Sequence, residues 1–281
     1  MKDQVVQPIK RHKLRRKLGR VFYRTKRKLS YLKSKKNWAK ARPLPEDRNT
    51  TMEHRSMILR PLKDVDMYLQ ENKRTNLALA IKHINGVHIK PGEVFSFWKL
   101  VGNPSKKKGY LEGLVLNQGK IEKDTGGGLC QLGNLIFWMV IHSPLDIVER
   151  HRHGFDVFPD VNRKVPFGAG ATLSYNYIDL QIHNNTEDNF YLEFWLDETH
   201  LNGRLSCSRE LDRKYQIEER NHIFQQQTWG GYTRHNQIFQ LEFDLDDNLL
   251  SERLIVENHA IMMYPPFLNE KTAAKSGLIQ Q

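Results

Sequence analysis

The stretch Thr125-Gly126-Gly127-Gly128-Leu129-Cys130-Gln131 decides how this chain of 281 residues is expected to fold. Residues 132–141 are almost wholly apolar and Pro144 ends the run, which predicts a buried helix that begins near Cys130. A thiol in the first turn of a helix faces unsatisfied N–H groups and the positive end of the helix dipole, so its thiolate is favoured. Two interpretations stay open: Cys130 is a nucleophile, or it packs at a tight turn as a small hydrophobic residue.

The composition is that of an ordinary globular protein, with 39% hydrophobic and 27% charged residues. No run of about 18 apolar residues is present, so we expect no transmembrane helix. The basic N-terminus does not develop the apolar region of a secretory signal. The two cysteines, Cys130 and Cys207, form no disulfide framework, which fits a reducing compartment. These features together predict a cytoplasmic protein.

The excess positive charge lies in an N-terminal arm. Residues 1–40 contain 16 Lys/Arg and one acid, whereas the remaining residues contain 28 Lys/Arg and 31 Asp/Glu. Within residues 10–40, apolar residues recur at roughly helical spacing, namely Leu14, Leu18, Val21, Phe22, Leu29 and Leu32. Such a basic amphipathic helix can bind an anionic membrane surface, bind nucleic acid through phosphates, or remain a solvated tail. Because the rest of the chain carries no nucleic-acid signature, we expect no nucleic-acid partner and favour a peripheral location on the inner membrane face.

The remaining pattern predicts an α+β fold. Apolar positions in residues 74–84 indicate a helix with Thr75 or Asn76 at its start, and alternation after Ala171 is typical of strands. We expect a mostly antiparallel sheet packed on the cysteine-bearing helix, a β-rich C-terminal extension and a basic helical N-terminal arm. The expected divisions are an arm at 1–45, a core at 46–185 and the extension at 186–281.

Acyl transfer by a cysteine needs a base that exchanges protons and a group that orients the base. His151 and His153 are two residues apart on a predicted strand, so both would point to one face and either could be the base. Asp179, Glu149 or Asp156 could orient the imidazole.

The reaction also needs N–H donors for the oxyanion, for which Gly127, Gly128 and Gln131 are the candidates. A zinc ion held by Cys130, His151 and His153 is a second chemistry, but the spacing is not that of a known zinc fold. The glycines also lack the Lys-Ser/Thr of a phosphate-binding loop. The sequence therefore predicts no metal and no cofactor.

The stretch from residue 74 to about 185 resembles the VanW family. The segments that carry the resemblance are Asn76-Leu-Ala-Leu-Ala80, Ile84-Asn-Gly86, Lys90-Pro-Gly-Glu-Val-Phe-Ser-Phe97, Gly109-Tyr110, Gly126-Gly-Gly-Leu-Cys-Gln131, Ile147-Val-Glu-Arg-His-Arg-His153, Ala171-Thr-Leu173, Asp179-Leu180 and Asn184-Asn-Thr186. Asp179 belongs to this set and is for that reason the preferred orienting acid. The chain departs from the family at Leu132-Gly133-Asn134, where many members carry small hydroxylated residues, and at Gly170, where exported members commonly have Asp.

The resemblance implies a role in cell-wall metabolism and glycopeptide resistance. VanW domains on exported proteins are linked to peptidoglycan crosslinking by an L,D-transpeptidase reaction, which implies acyl transfer through a cysteine thioester. By resemblance, the chain would act on peptidoglycan or its precursors by such acyl transfer or by amide hydrolysis. The alternative is a non-catalytic accessory protein that binds wall-precursor peptides at the inner membrane face. In either case the expected partner is a wall-precursor peptide or a lipid-linked precursor.

Overall fold

Helices occur in the first half of the described chain, and strands dominate the second half. The computed structural model describes residues 12–59, 66–117, 119–157 and 165–266, so parts of the expected arm and extension, 1–11 and 267–281, lie outside the described residues. The helices are α1 (Lys13–Lys33), α2 (Met67–Ile84), α3 (Phe97–Val101) and α4 (Cys130–Val140), with a 3-10 turn at Lys106–Lys108. The strands are β1 (Asn37–Trp38), β2 (Lys40–Ala41), β3 (Asn49–Met57), β4 (Val87–Ile89), β5 (Glu93–Ser96), β6 (Glu112–Asn117), β7 (Lys120–Thr125), β8 (Asp146–Glu149), β9 (Phe155–Asp156), β10 (Gln181–His183), β11 (Phe190–Leu196), β12 (His200–Cys207), β13 (Lys214–Gln226), β14 (Tyr232–Phe243) and β15 (Leu249–Met262).

The described strands form three sheets and one hairpin. The strand orders are β1-β5-β10-β8, β2-β4-β11-β12-β3 and β13-β14-β15-β9, and β6 pairs with β7. Only β1 with β5 and β9 with β15 run parallel among the described pairs. The predicted α+β class with mostly antiparallel sheets is therefore confirmed. The second sheet joins strands from both sides of residue 185, and the three-part division of the chain stays a prediction.

Helix α4 lies against the second sheet. Leu135 and Met139 contact β12 at Gly203, where an added Cβ would lie 2.8 Å from each side chain. Most of α4 is buried, as a helix that is apolar on nearly all sides must be. Its first turns are different, because Cys130 is partly exposed and Asn134 is exposed. The helix therefore brings its N-terminal end, with the cysteine, to the protein surface.

Helix α2 begins earlier than its apolar pattern indicated. It starts at Met67 with Asp66 as the N-cap residue, so the expectation that Thr75 or Asn76 caps it is wrong. Asn76 lies inside the helix and is fully buried. Its side chain bonds to backbone outside the helix: Nδ2 donates to the carbonyls of Leu111 and Gly127 at 3.0 and 2.9 Å. The amide thus ties α2 to the loop that precedes Cys130.

Helix α1 contacts the rest of the protein through polar side chains. Arg24 donates to the carbonyl of Tyr175 at 3.2 Å, Arg27 pairs with Glu149, and the Tyr31 hydroxyl donates to Asp179 at 2.8 Å.

Across the described ranges, no helix is both long enough and apolar enough to pass through a membrane.

Asn184 joins the first two sheets where β10 leads into β11. Its Nδ2 donates to the carbonyls of Ile89 and Asp188 at 2.8 and 2.7 Å, and its Oδ1 accepts from both the N–H and the hydroxyl of Thr186. The neighbouring Asn185 is exposed and donates to Asp146 at 2.6 Å. The side chain of Asn184 therefore joins two sheets, whereas that of the exposed Asn185 bonds to Asp146.

We expect Asn184→Ala to lower the free energy of unfolding by about 3 kcal/mol, because it leaves buried carbonyl groups without donors. Asn185→Ala is the matched control and should change the stability by less than about 0.5 kcal/mol. Urea denaturation of both variants measures the difference. Equal stabilities would contradict this role of the Asn184 amide.

Candidate functional site

Cys130 lies at the first position of α4, and its sulfur has a dedicated backbone partner. The N–H of Leu173 donates to Sγ over 3.4 Å. Both cysteines are free thiols, but Cys130 is partly exposed whereas Cys207 is fully buried. Dense packing around the sulfur raises the pKa of the Cys130 thiol, and the Leu173 N–H opposes this only in part. The direction of this shift is opposite to the one that a helix start predicts, because burial favours the protonated thiol.

A segment without helix or strand structure, residues 168–173, places Leu173 beside the sulfur. On one side, the N–H of Ala171 donates to Asn134 Oδ1 of α4 at 2.8 Å. On the other side, the N–H of Thr172 donates to the carbonyl of His151 at 2.8 Å. Three of the segments that carry the family resemblance therefore meet around Cys130.

The two departures from the family pattern lie in contact with each other. A Cβ added at Gly170 would lie 2.5 Å from Asn134 Oδ1. An aspartate at position 170 therefore does not fit beside Asn134 in this arrangement. The amide oxygen of Asn134 fills that space and accepts the Ala171 N–H.

The glycine loop before Cys130 is packed against β6. A Cβ on Gly127 would lie 2.1 Å from the carbonyl carbon of Gly113, and a Cβ on Gly113 would lie 2.6 Å from the carbonyl oxygen of Gly127. Gly126 and Gly128 have φ angles of 77° and 91°, which residues with a side chain rarely adopt. The glycines therefore allow two backbone segments to approach each other closely.

The proposed oxyanion donors already have partners within the chain. The N–H of Gly127 donates to the carbonyl of Asp124 at 3.1 Å, and that of Gly128 donates to Leu114 at 3.0 Å. The N–H of Gln131 donates to the carbonyl of Gly128 at 3.0 Å. The expectation that these three groups face a ligand does not match the free protein, because each is used to hold the loop.

The two histidines lie in the irregular segment between β8 and β9, so the expectation that they share one face of a strand is wrong. His151 is exposed, and its Nε2 lies 3.8 Å from Glu149 Oε1. His153 is half-buried, and burial together with the charge of Arg152 lowers its pKa. The backbone of His151 is joined to the segment that contacts Cys130, because its carbonyl accepts from the N–H of Thr172.

Asp179 is fully buried and bonds to other groups than a histidine ring. Its carboxylate accepts from the hydroxyls of Ser96 and Tyr31 at 2.5 and 2.8 Å and from the N–H of Trp98 at 3.1 Å. Burial raises the pKa of Asp179, and these hydrogen bonds oppose the shift. The preference for Asp179 as the orienting acid is therefore not supported by its contacts.

The other two candidate acids, Glu149 and Asp156, have different partners. Glu149 approaches His151 and also pairs with Arg27 of α1. Asp156 bonds instead to Arg234 and Tyr264, at 3.2 and 2.8 Å. Of these two acids, Glu149 is therefore the one that lies near a candidate base, His151.

Within the described ranges, no three His, Cys, Asp or Glu side chains lie close enough together to hold a metal ion. The alternative that Cys130, His151 and His153 bind zinc is therefore wrong for this arrangement.

The sequence did not reveal Asn76 as an anchor of the glycine loop, or the contacts of Arg27 with Glu149 and of Tyr31 with Asp179. The sequence does contain a signal for the contacts of Arg27 and Tyr31. Arg24, Arg27 and Tyr31 follow helical spacing on the side of α1 away from its leucines.

The chain is similar to known proteins over most of its length. The family described as VanW like protein matches residues 72–206. The vancomycin B-type resistance protein VanW of Enterococcus faecalis is 34% identical over 201 residues, which are 71% of this chain and 73% of that protein. The uncharacterised protein YoaR of Bacillus subtilis is 31% identical over 117 residues, which are 41% of this chain and 36% of that protein. No solved structure matches the chain. The chain belongs to the VanW family, as its motifs predict.

We expect Cys130 to be alkylated slowly at neutral pH, because a raised pKa leaves the thiol protonated until the solution is more alkaline than the usual thiol pKa of about 8.5. The measurement is the rate of iodoacetamide labelling against pH in a Cys207→Ala background, with Cys130→Ala as the blank. A rate plateau below pH 8 would contradict the raised pKa.

We expect Gly127→Ala to lower the free energy of unfolding by about 3 kcal/mol, because its Cβ would overlap the Gly113 backbone. Gly154→Ala is the control, since a Cβ there meets nothing within 4 Å. Thermal and urea unfolding compare the two variants. If Gly127→Ala is as stable as the control, the close approach of the two backbones is not what requires glycine.

Proposed function

We propose that this VanW-family protein acts in cell-wall metabolism and vancomycin resistance, by cysteine-dependent acyl transfer or amide hydrolysis on the peptides of peptidoglycan precursors. One observation carries the proposal: Cys130 is partly exposed at a helix start and its sulfur accepts a backbone N–H where the family's segments meet. A cysteine that only fills space would resemble Cys207, which is fully buried in β12.

In the proposed reaction, Cys130 Sγ attacks the carbonyl carbon of a peptide bond while its proton passes to a base. The C–N bond then breaks, the amine leaves with that proton, and a thioester remains on Cys130. A second amine attacks the thioester to form a new peptide bond, which is L,D-transpeptidase-like transfer, or water attacks to complete hydrolysis. Either attack returns the proton to sulfur and restores the free thiol.

We assign the base to His151 and its orientation to Glu149. The two side chains lie 3.8 Å apart, and the His151 backbone is one hydrogen bond from the segment that contacts Cys130. The side chain of His151 is exposed, so a substrate could reach its ring. Catalytic hydrogen bonds are often long in a free enzyme and tighten when the substrate binds. The raised pKa of Cys130 fits a thiol that loses its proton only then.

A second function, the binding of wall-precursor peptides without turnover, is favoured by two specific observations. The N–H groups of Gly127, Gly128 and Gln131 are all used within the chain, and burial raises the pKa of the Cys130 thiol. A recognition surface needs neither a thiolate nor an oxyanion site. Such a protein would be an accessory of the enzymes that process the same precursors.

The two functions differ in their dependence on Cys130. We expect the protein to form a thioester with a muramyl pentapeptide precursor, visible as an increase in intact mass, and to release an amine product. Cys130→Ala should lose both while it keeps the folded circular dichroism spectrum, and Cys207→Ala is the matched control that keeps both. His151→Ala should slow turnover about 100-fold or more, whereas His153→Ala should have a much smaller effect.

Binding of the precursor that is equal in the wild type and Cys130→Ala, with no adduct and no product in either, would replace the enzyme proposal by the binding function. A larger loss in His153→Ala than in His151→Ala would overturn the assignment of the base.

A further inference from the structure

Helix α1 is attached to the protein by the side that its apolar residues do not occupy. The residues of α1 whose side chains form hydrogen bonds or an ion pair with the core are Arg24, Arg27 and Tyr31, which lie three and four positions apart on one face. Arg27 donates to both carboxylate oxygens of Glu149, and Tyr31 donates to the buried carboxylate of Asp179. Burial alone would lower the pKa of Arg27, but its hydrogen bond with Glu149 and the nearby negative charges together raise it. The attachment is therefore ionic and hydrogen-bonded.

The apolar residues of α1 face solvent. Their exposed fractions are 59% for Leu14, 63% for Leu18, 64% for Val21, 61% for Phe22, 50% for Leu29 and 82% for Leu32. With 3.6 residues per turn, these six side chains fall within an arc of about 100°, which we call the leucine stripe. An ordinary surface helix turns such a stripe toward the core. Here the stripe is left uncovered within the part of the chain that the structure describes.

Basic residues border the leucine stripe on both sides. Lys17 and Lys28 flank one edge, and Arg15, Lys26 and Lys33 flank the other, and all five are exposed. The helix contains no acidic residue. A protein partner would present mixed charges at its rim, whereas a bilayer of anionic lipids offers a uniformly negative surface over an apolar interior. The charge and the stripe together fit the lipid surface.

We propose that α1 binds the surface of an anionic lipid bilayer, with the leucine stripe in the headgroup region and the flanking Lys and Arg on the phosphates. The contacts of Arg24, Arg27 and Tyr31 keep the helix fixed to the core in this state, because they lie on the opposite side. The lipid surface is bound by a rigid part of the folded protein.

This binding would bring the Cys130 site to the lipid headgroups. Arg24 donates to the carbonyl of Tyr175, two residues beyond Leu173, whose N–H donates to Cys130 Sγ. If the proposed function holds, a peptide carried on a lipid would be the natural substrate of the site. The binding of the surface itself does not rest on that function.

The experiment is flotation of the full-length protein with vesicles of phosphatidylcholine alone or with 30% phosphatidylglycerol. We expect about tenfold or greater preference for the anionic vesicles at low salt, which falls as salt is added. Leu18→Glu with Phe22→Glu should abolish this binding. The matched control is Leu249→Glu with Leu250→Glu, at positions on β15 that are 55% and 46% exposed, and it should bind like the wild type.

Equal binding of the wild type and the Leu18/Phe22 variant would overturn the proposal, and so would equal binding to the two vesicle types. A dimer in solution that the same variant dissociates, without vesicle binding by the wild type, would show that a second copy covers the stripe. Turnover of a soluble precursor peptide separates this test from the proposed function, because the Leu18/Phe22 variant leaves Cys130 and its contacts unchanged.

Discussion

A carboxylate that is almost completely removed from water, that of Asp179, determines how the site is assembled. An unpaired charge in such a place costs several kcal/mol, so the surrounding chain has to supply donors. Those donors are the hydroxyls of Tyr31 in α1 and Ser96 in β5 and the N–H of Trp98 in α3. One side chain therefore holds the N-terminal helix, strand β5 and helix α3 in a single arrangement.

Much of the fold follows from local patterns, and the exceptions have local causes. The apolar run after Cys130 predicts a buried helix, and α4 is that helix because few of its positions could face water. The apolar pattern places the start of α2 too late, because the polar residues 70–76 interrupt it after Leu69. The pattern also predicts a strand through the histidines, whereas β8 ends at Glu149. Periodicity does not show where a short strand stops.

The chemistry of the site was harder to predict, because it depends on which N–H groups already form hydrogen bonds within the fold. The motif shows that Gly127 and Gly128 are needed, but not that their N–H groups bond to Asp124 and Leu114. A helix start favours a thiolate, yet the packing around Cys130 outweighs it. These outcomes are set by residues distant in sequence. The contact between Asn134 and Gly170 is of the same kind, since neither position alone indicates that the two depend on each other.

The contact between Gly113 and Gly127 limits which substitutions this chain can accept. The two backbones touch directly, so a side chain gained at one glycine has no side chain at the other that could shrink to make room for it. A complete mutational scan would therefore find two intolerant positions that contribute no functional group. What a side chain at either glycine disturbs is the placement of Cys130, three residues beyond Gly127.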